Sequence, residues 1–402
     1  MKIVRIIARL NVGGPAIHAI LLTHEFRKRG HDSLLVVGPV PETEGNMEYY
    51  ASKWNVLLVR VPELIRPLSL KNDWVAFWKI FRLLRRERPD IVHTHTAKAG
   101  TLGRAAAILA GTPVILHTFH GNIFDGYFSP ARTRLFLFIE RLLARFTDRI
   151  ISVSKSQSDE LINKHKIAQP DKFEIVRLGI DLDEFREVEG GNQCHSEDRE
   201  NRPLVIGWVG RLTEIKDPLF FVDLAAVMKS SGTPAKFVMV GDGHLRQAIE
   251  AKISEYSLQG DFTLSGWQQE MAKVYSRIDL IVLTSLNEGT PVTMIEAMAT
   301  GRPFVAFNVG GLPDLMAGAA QRYEGFEVYD NGILVRPRDT GTFVKAVGLL
   351  IQDPERRVRM GQAGKVFALQ NFSKERLAQD TEALYRKLAA TLGTEPKPNS
   401  SD

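Results

Sequence analysis

A short apolar run, a polar turn and then a helical pattern recur along this chain, and residues 279–301, DLIVLTSLNEGTPVTMIEAMATG, show the unit most sharply. Residues 280–283 are apolar on both faces of a strand, which suits a strand buried on both sides of its sheet. Thr284, Ser285, Asn287, Glu288 and Gly289 make the turn. Pro291 suits the start of a helix, whose first turn has no use for the missing N–H. Val292, Ile295 and Met298 give that helix an apolar face, and Gly301 with Pro303 ends it. A strand feeding a helix in this way leaves free backbone N–H groups, a setting suited to an anion and to phosphate above all.

Such units fall into two runs. The first has strands at 2–8, 34–37, 91–95, 114–120, 149–154 and 173–178; the second has them at 204–209, 237–240, 262–264, 280–283, 304–307 and 332–335. Between the runs, residues 186–203 lose all periodicity and read as an exposed connector, in which Cys194 and His195 have no chemical role. The expectation is two α/β domains, 1–185 and 204–370, each a Rossmann-like doubly wound parallel sheet. Residues 371–390 form a last helix, capped by Ser373, and 391–402 a disordered tail. The length of 402 residues suffices for two domains, and 44% hydrophobic with 25% charged residues is a soluble protein's balance.

One cysteine excludes an internal disulfide and fits a reducing compartment, so a cytoplasmic location is expected. Lys2, Arg5 and Arg9 interrupt the first apolar stretch and argue against a signal peptide, and no run reaches the roughly 18 apolar residues of a membrane span. Residues 1–180 hold 27 Lys+Arg against 16 Asp+Glu, and the remainder 25 against 31. The basic first half suits a phospholipid surface, a lipid diphosphate or nucleic acid, or is a solvated basic surface. At 129–146, Leu135, Phe136, Leu137, Phe138, Leu142, Leu143 and Phe146 interleave with Arg132, Arg134, Arg141 and Arg145. Such a helix lies on an anionic membrane, packs its apolar face inward, or does both with different faces.

Candidate site residues gather where strands end. Gly13 and Gly14 follow the first strand and either let backbone approach a ligand or make a plain tight turn; their spacing is not GxGxxG, so the dinucleotide fingerprint fails. In the amphipathic helix 72–86, Trp74, Phe77, Trp78, Phe81 and Leu84 recur at helical spacing and are expected in the core. His93, His95 and Lys98 mark a strand's C-terminal end, where open α/β sheets bind ligands. HxH puts both rings on one face, but no acidic or cysteine ligand follows nearby, so no metal is expected. The next strand ends in Phe119-His120-Gly121-Asn122; His120 is there either a neutral donor to a ligand or a strand-end histidine satisfied by backbone, and His117 is structural.

In the second run, Gly210-Arg211 and then Lys216 follow a strand. Two cations there suit an anionic ligand, although Arg211 could instead serve a surface ion pair. Gly241 and Gly266 close two more strands, and Trp267 stacks on a base or fills a gap. Glu288 and Glu296, seven residues apart, are acceptors suited to polyol hydroxyls, or two surface glutamates. Gly310 and Gly311 follow the strand at 304–307.

Ser285, Glu288-Gly289, Pro291 and Glu296-Ala297-Met298-Ala299 resemble the E-x7-E signature of the GT4 family of retaining glycosyltransferases, which have the two-domain GT-B fold. Thr290 stands where a bulkier residue, often Phe, is common. Gly13-Gly14 is similar to that family's GG loop, His120-Gly121 to its HG motif, and Arg211 with Lys216 to its paired cations; the likeness spans about 10–390 and is densest over 204–315. The resemblance implies a metal-independent glycosyltransferase with no cofactor and an active site in the interdomain cleft. It implies that Glu296 holds the nucleotide ribose, Glu288 the transferred sugar, and Arg211 and Lys216 the diphosphate. Gly13, Gly14, Gly210, Gly241, Gly266, Trp267, Gly289, Thr290 and Pro291 complete the donor site, His120 stands beside the sugar, and the last helix crosses back to the first domain. No residue is plainly a nucleophile, so front-face attack is expected rather than double displacement.

HTHTAKAG at 93–100 and the HG loop look most like transferases of bacterial surface polysaccharides or lipid-linked oligosaccharides. The expected donor is a UDP-sugar, an N-acetylhexosamine among the candidates, with GDP-mannose as the alternative. The expected acceptor is a glycan or a polyprenyl-diphosphate-linked saccharide at the inner face of the cell membrane, with no nucleic acid partner. Two rivals are a GT-B UDP-N-acetylglucosamine 2-epimerase and a non-catalytic lipid- or nucleic-acid-binding protein. The latter has no use for Arg211, Lys216, Glu288 and Glu296 together.

Overall fold

The computed structural model describes residues 1–41, 45–121, 124, 129–188 and 202–391. Asn122, Cys194, His195, most of the connector and the tail beyond Thr391 lie outside them. The chain divides into two compact units, Met1–Ile180 with Lys374–Asp402, and Asp181–Ser373.

The first unit is built on seven strands: β1 (Lys2–Arg9), β2 (Asp32–Gly38), β3 (Leu58–Arg60), β4 (Ile91–His95), β5 (Val114–Phe119), β6 (Arg149–Ser152) and β7 (Phe173–Ile175). All pair in parallel, in the order β3-β2-β1-β4-β5-β6-β7. Successive β1 residues are buried because helices cover both faces. Val4 and Ile6 pack under Leu70–Glu87 and Ala97–Ala110, and Ile3 and Ile7 under Gly14–Lys28. The C-terminal helix Lys374–Thr391 belongs to this unit, its Leu377, Ala378, Leu384 and Leu388 sharing a cluster with Ile3, Leu22 and Phe26.

The stripe of Leu70–Glu87 meets the sequence expectation of a core only in part: Leu84 is buried, and Phe77 and Phe81 pack against the core from its edge. Trp74 is 63% exposed, and Phe77, Trp78 and Phe81 are half-buried. The core positions go to Ala76, Ile80, Leu83 and Leu84, which let the helix lie close against Ala97–Ala110. The rings take the flank and shield one another, with neighbouring centroids 5.3–6.2 Å apart.

The helix Pro130–Ala144 uses two faces. Phe136 and Leu137 pack with Phe119, Ile150 and Leu161, and buried Glu140 accepts from Arg104 at 2.5 Å. The other side exposes Leu135, Phe138 and Leu142, with Phe146 just beyond, among exposed Arg132, Arg134, Arg141 and Arg145. Among the described residues no helix is long and apolar enough to cross a membrane.

The second unit has eight strands: β8 (Leu204–Val209), β9 (Ala235–Val240), β10 (Phe262–Leu264), β11 (Leu280–Leu283), β12 (Phe304–Phe307), β13 (Gln321–Tyr323), β14 (Phe326–Val328) and β15 (Gly332–Val335). Their order is β10-β9-β8-β11-β12-β15-β14-β13, parallel except for the β13–β14 and β14–β15 joins at the edge. The unit begins before residue 186: Phe185 packs on Tyr275, and Lys365 Nζ donates to the Arg186 carbonyl at 2.9 Å. In both sheets the strand order reverses at the first-laid strand, between β1 and β4 and between β8 and β11. Parallel strands end on one edge, so the loops at these reversals splay apart and leave a ligand crevice.

Candidate active site

At the β8–β11 reversal, two loops are laced together. Thr284, buried at the end of β11, accepts from Trp208 Nε1 at 2.9 Å, and its oxygen lies 2.9 Å from the carbonyls of Lys216 and Asp217. Leu286 N–H donates to the Ile215 carbonyl at 2.8 Å. These bonds aim Lys216 at Glu288, and its ammonium pairs with Glu288 Oε1. The residues expected to hold diphosphate and sugar thus first hold each other. An ammonium has three donors, so the one spent on Glu288 leaves two.

Arg211 follows β8 half-buried, and among the described residues no carboxylate or other side chain pairs with it. Gly210, Gly241 and Gly266 form the adjoining floor: Gly210 N–H donates to the Val240 carbonyl at 3.0 Å and Gly241 N–H to the Gly266 carbonyl at 2.9 Å. Gly241 sits at φ +134°, where a Cβ would stand 1.8 Å from the Gly210 carbonyl oxygen, so no other residue fits. At Gly310, φ +52°, a Cβ would likewise stand 2.0 Å from the Glu288 carbonyl oxygen, and the Gly311 N–H donates to that oxygen at 3.1 Å. The Glu288 loop is therefore clamped from β11 and from β12. Trp267 is exposed beyond β10, and buried Gly289 with half-buried Thr290 leads to Pro291, which precedes the helix Val292–Ala299.

Glu296 lies on that helix. Its Oε2 accepts from the phenol of wholly buried Tyr275 at 2.8 Å. Burial pushes the Glu296 carboxyl up to about 7; the Tyr275 hydrogen bond opposes the rise and the Glu184 carboxylate adds to it. Tyr275 was missed by sequence reasoning, since the short helix Met271–Ser276 carries no motif.

In the first unit, histidines gather at the β1–β4–β5 strand ends, the edge that also carries the Gly13-Gly14 loop. His95 Nδ1 and His120 Nε2 are 3.0 Å apart, and the His18 ring stands edge-on to His120 with centroids 4.8 Å apart. His18, His95 and His120 each place one ring nitrogen within 4.8 Å of the others, so the third histidine comes from far along the chain rather than nearby. His93 is satisfied on both nitrogens, by the Tyr385 hydroxyl and by Thr118 Oγ1, each at 2.6 Å. His117 is buried against Thr94 Oγ1 at 2.9 Å. Lys98 does not join the cluster but pairs with Asp73. Burial holds these imidazoles neutral, lowering His120 to about 3 and His18, His93 and His95 well below the usual range. His18 escaped the sequence reading because it sits among apolar residues on a helix.

Comparison with known proteins agrees with this architecture. Residues 12–184 match the model of Glycosyltransferase Family 4, and residues 203–353 that of Glycosyl transferases group 1. The UDP-Gal:alpha-D-GlcNAc-diphosphoundecaprenol alpha-1,3-galactosyltransferase of Escherichia coli is 30% identical over 73% of this chain and 74% of its own. The alpha-maltose-1-phosphate synthase of Mycolicibacterium smegmatis is 27% identical over 76% and 80%. The crystal structure of Anabaena HepE with UDP and glucose superposes with a TM-score of 0.78 at 18% identity, covering 96% of this chain and 99% of that one. Two Rossmann-like units of this kind make the GT-B fold. The chain belongs to glycosyltransferase family 4.

Proposed function

We propose that the protein transfers a sugar, with retention of configuration and without a metal, from a UDP-sugar to a glycan or polyprenyl-diphosphate-linked acceptor in bacterial surface polysaccharide assembly. The observation that carries the donor site is the pairing of Lys216 with Glu288 at the β8–β11 reversal, together with half-buried Arg211, which pairs with no side chain among the described residues. Charge grows on the departing diphosphate, and two fixed cations meet it without metal. Glu288 accepts from the transferred sugar, Glu296 from the ribose, and His120 donates to the sugar. The name of the 30% identical relative, which contains a UDP-sugar donor and a diphosphoundecaprenol acceptor, supports the substrate classes. In EDTA, a UDP-sugar is expected to raise the unfolding temperature. Stabilisation by a GDP- or ADP-sugar instead overturns the donor assignment, and no shift with any of them overturns the donor site.

The acceptor's lipid gives the outer face of Pro130–Ala144 a role. Leu135, Phe138, Leu142 and Phe146 enter the headgroup region and the arginines meet anionic lipid. Phe138→Ser with Leu142→Ser is expected to lower binding to phosphatidylglycerol vesicles at least about tenfold, since two large side chains lose burial worth about 1.5–3 kcal/mol each. The fold should be unaffected, because neither residue packs inward. Equal sedimentation of variant and wild type with vesicles rules the contact out.

A further inference from the structure

A chain of hydrogen bonds and ring contacts runs from the C-terminal helix to His120. Arg5, wholly buried on β1, lies over the rings of Phe26 and Tyr385, at 4.6 and 5.9 Å. A guanidinium offers donors only, so the Tyr385 O–H turns from it and donates to His93 Nδ1. The His93 proton is then on Nε2 and is donated to Thr118 Oγ1. Held at both ends, the His93 ring lies against that of His95, with centroids 4.2 Å apart and planes tilted by 39°.

His95 has one partnered nitrogen. Its Nε2 is buried and has no partner among the described residues, whereas Nδ1 faces His120 Nε2. A buried N–H without an acceptor costs more than a bare lone pair. The proton therefore sits on Nδ1 and is donated to His120 Nε2, which leaves the His120 proton on its own Nδ1.

Resting on the reading that His120 serves the sugar donor, we infer that Tyr385 and His95 are positioning residues that hold His120 in its Nδ1–H tautomer, a fixed hydrogen-bond donor. This excludes His120 as a general base: its Nε2 lone pair is occupied by His95. Burial also keeps it from charging at neutral pH. The arrangement matches a reaction in which the departing phosphate accepts the acceptor's proton and His120 only stabilises.

The test is the long-range 1H–15N spectrum of EDTA-treated, [15N]histidine-labelled protein without substrate, assigned with single histidine variants. The expected result is His120 protonated at Nδ1 in the wild type, and a mixture of tautomers in His95→Gln. Kinetically, Tyr385→Phe is expected to lower kcat about tenfold and His95→Gln about a hundredfold, with donor KM within about twofold, because the bond gained in the transition state is what they weaken. A wild-type His120 protonated at Nε2 overturns the inference, as does unchanged kcat in Tyr385→Phe. So does a stoichiometric shift of the His18, His95 and His120 signals on adding Zn(II), which makes the cluster a metal site. Failure of the protein to turn over any nucleotide-sugar strikes the proposed function instead, and leaves the wild-type spectrum to decide the tautomer.

Discussion

Lys216→Ala is expected to lower kcat/KM by about 10²–10³-fold, the usual cost of removing one preorganised group aimed at developing negative charge. It should also destabilise the protein, because Glu288 is left without its cation. The Glu288 and Lys216 side chains are only 9% and 19% exposed. Breaking a fully buried pair from one side costs about 3–5 kcal/mol, and residual exposure brings this one to about 2. The double variant Lys216→Ala/Glu288→Ala separates the effects: it should regain most of the stability and none of the activity. Thermal unfolding and steady-state kinetics on the three variants decide the matter. A Lys216→Ala protein as active and as stable as wild type would show the pair to be incidental.

Glu296→Gln is expected to stabilise the protein above pH 7 while weakening donor binding. The folded carboxyl titrates near 7, above its ordinary 4.5, so folding favours the protonated form. The stability linked to this group is complete below 4.5 and is lost as pH rises through about 7. A shift of that size is worth at most about 3 kcal/mol, and solvent at the half-buried residue reduces it. Glutamine has no charge to desolvate, so the variant's stability should run flatter from pH 5 to 8 and exceed the wild type's at pH 8. Ribose hydroxyls are donors and favour the ionised acid, so wild-type affinity for the nucleotide should tighten as pH rises through about 7. Parallel pH–stability curves for the two proteins would refute the assignment.

The two sheets were legible because parallel strands covered on both faces leave uninterrupted apolar runs, as at Leu280–Leu283. Strand-end glycines and the spaced glutamates were legible because turn chemistry and helix starts are local. What escaped was set by tertiary structure. The Lys216–Glu288 pair joins residues 72 apart, and Tyr275 reaches Glu296 across 21. No periodicity announces either. The stripe on Leu70–Glu87 misled at Trp74 and Trp78 because periodicity gives the apolar face of a helix, not which part of that face its neighbour covers. For Pro130–Ala144 the sequence left packing and exposure both open, and the structure uses both.

The first unit is discontinuous in sequence, with its last helix encoded after the whole of the second. During synthesis, residues 181–373 emerge entire while the first unit still lacks Leu377, Tyr385 and Leu388 from its core. The earlier-translated half is therefore the later one to finish folding. His93 waits for Tyr385 until the ribosome has passed the last helix, so a nascent or truncated chain lacks the hydroxyl that fixes the His93 tautomer.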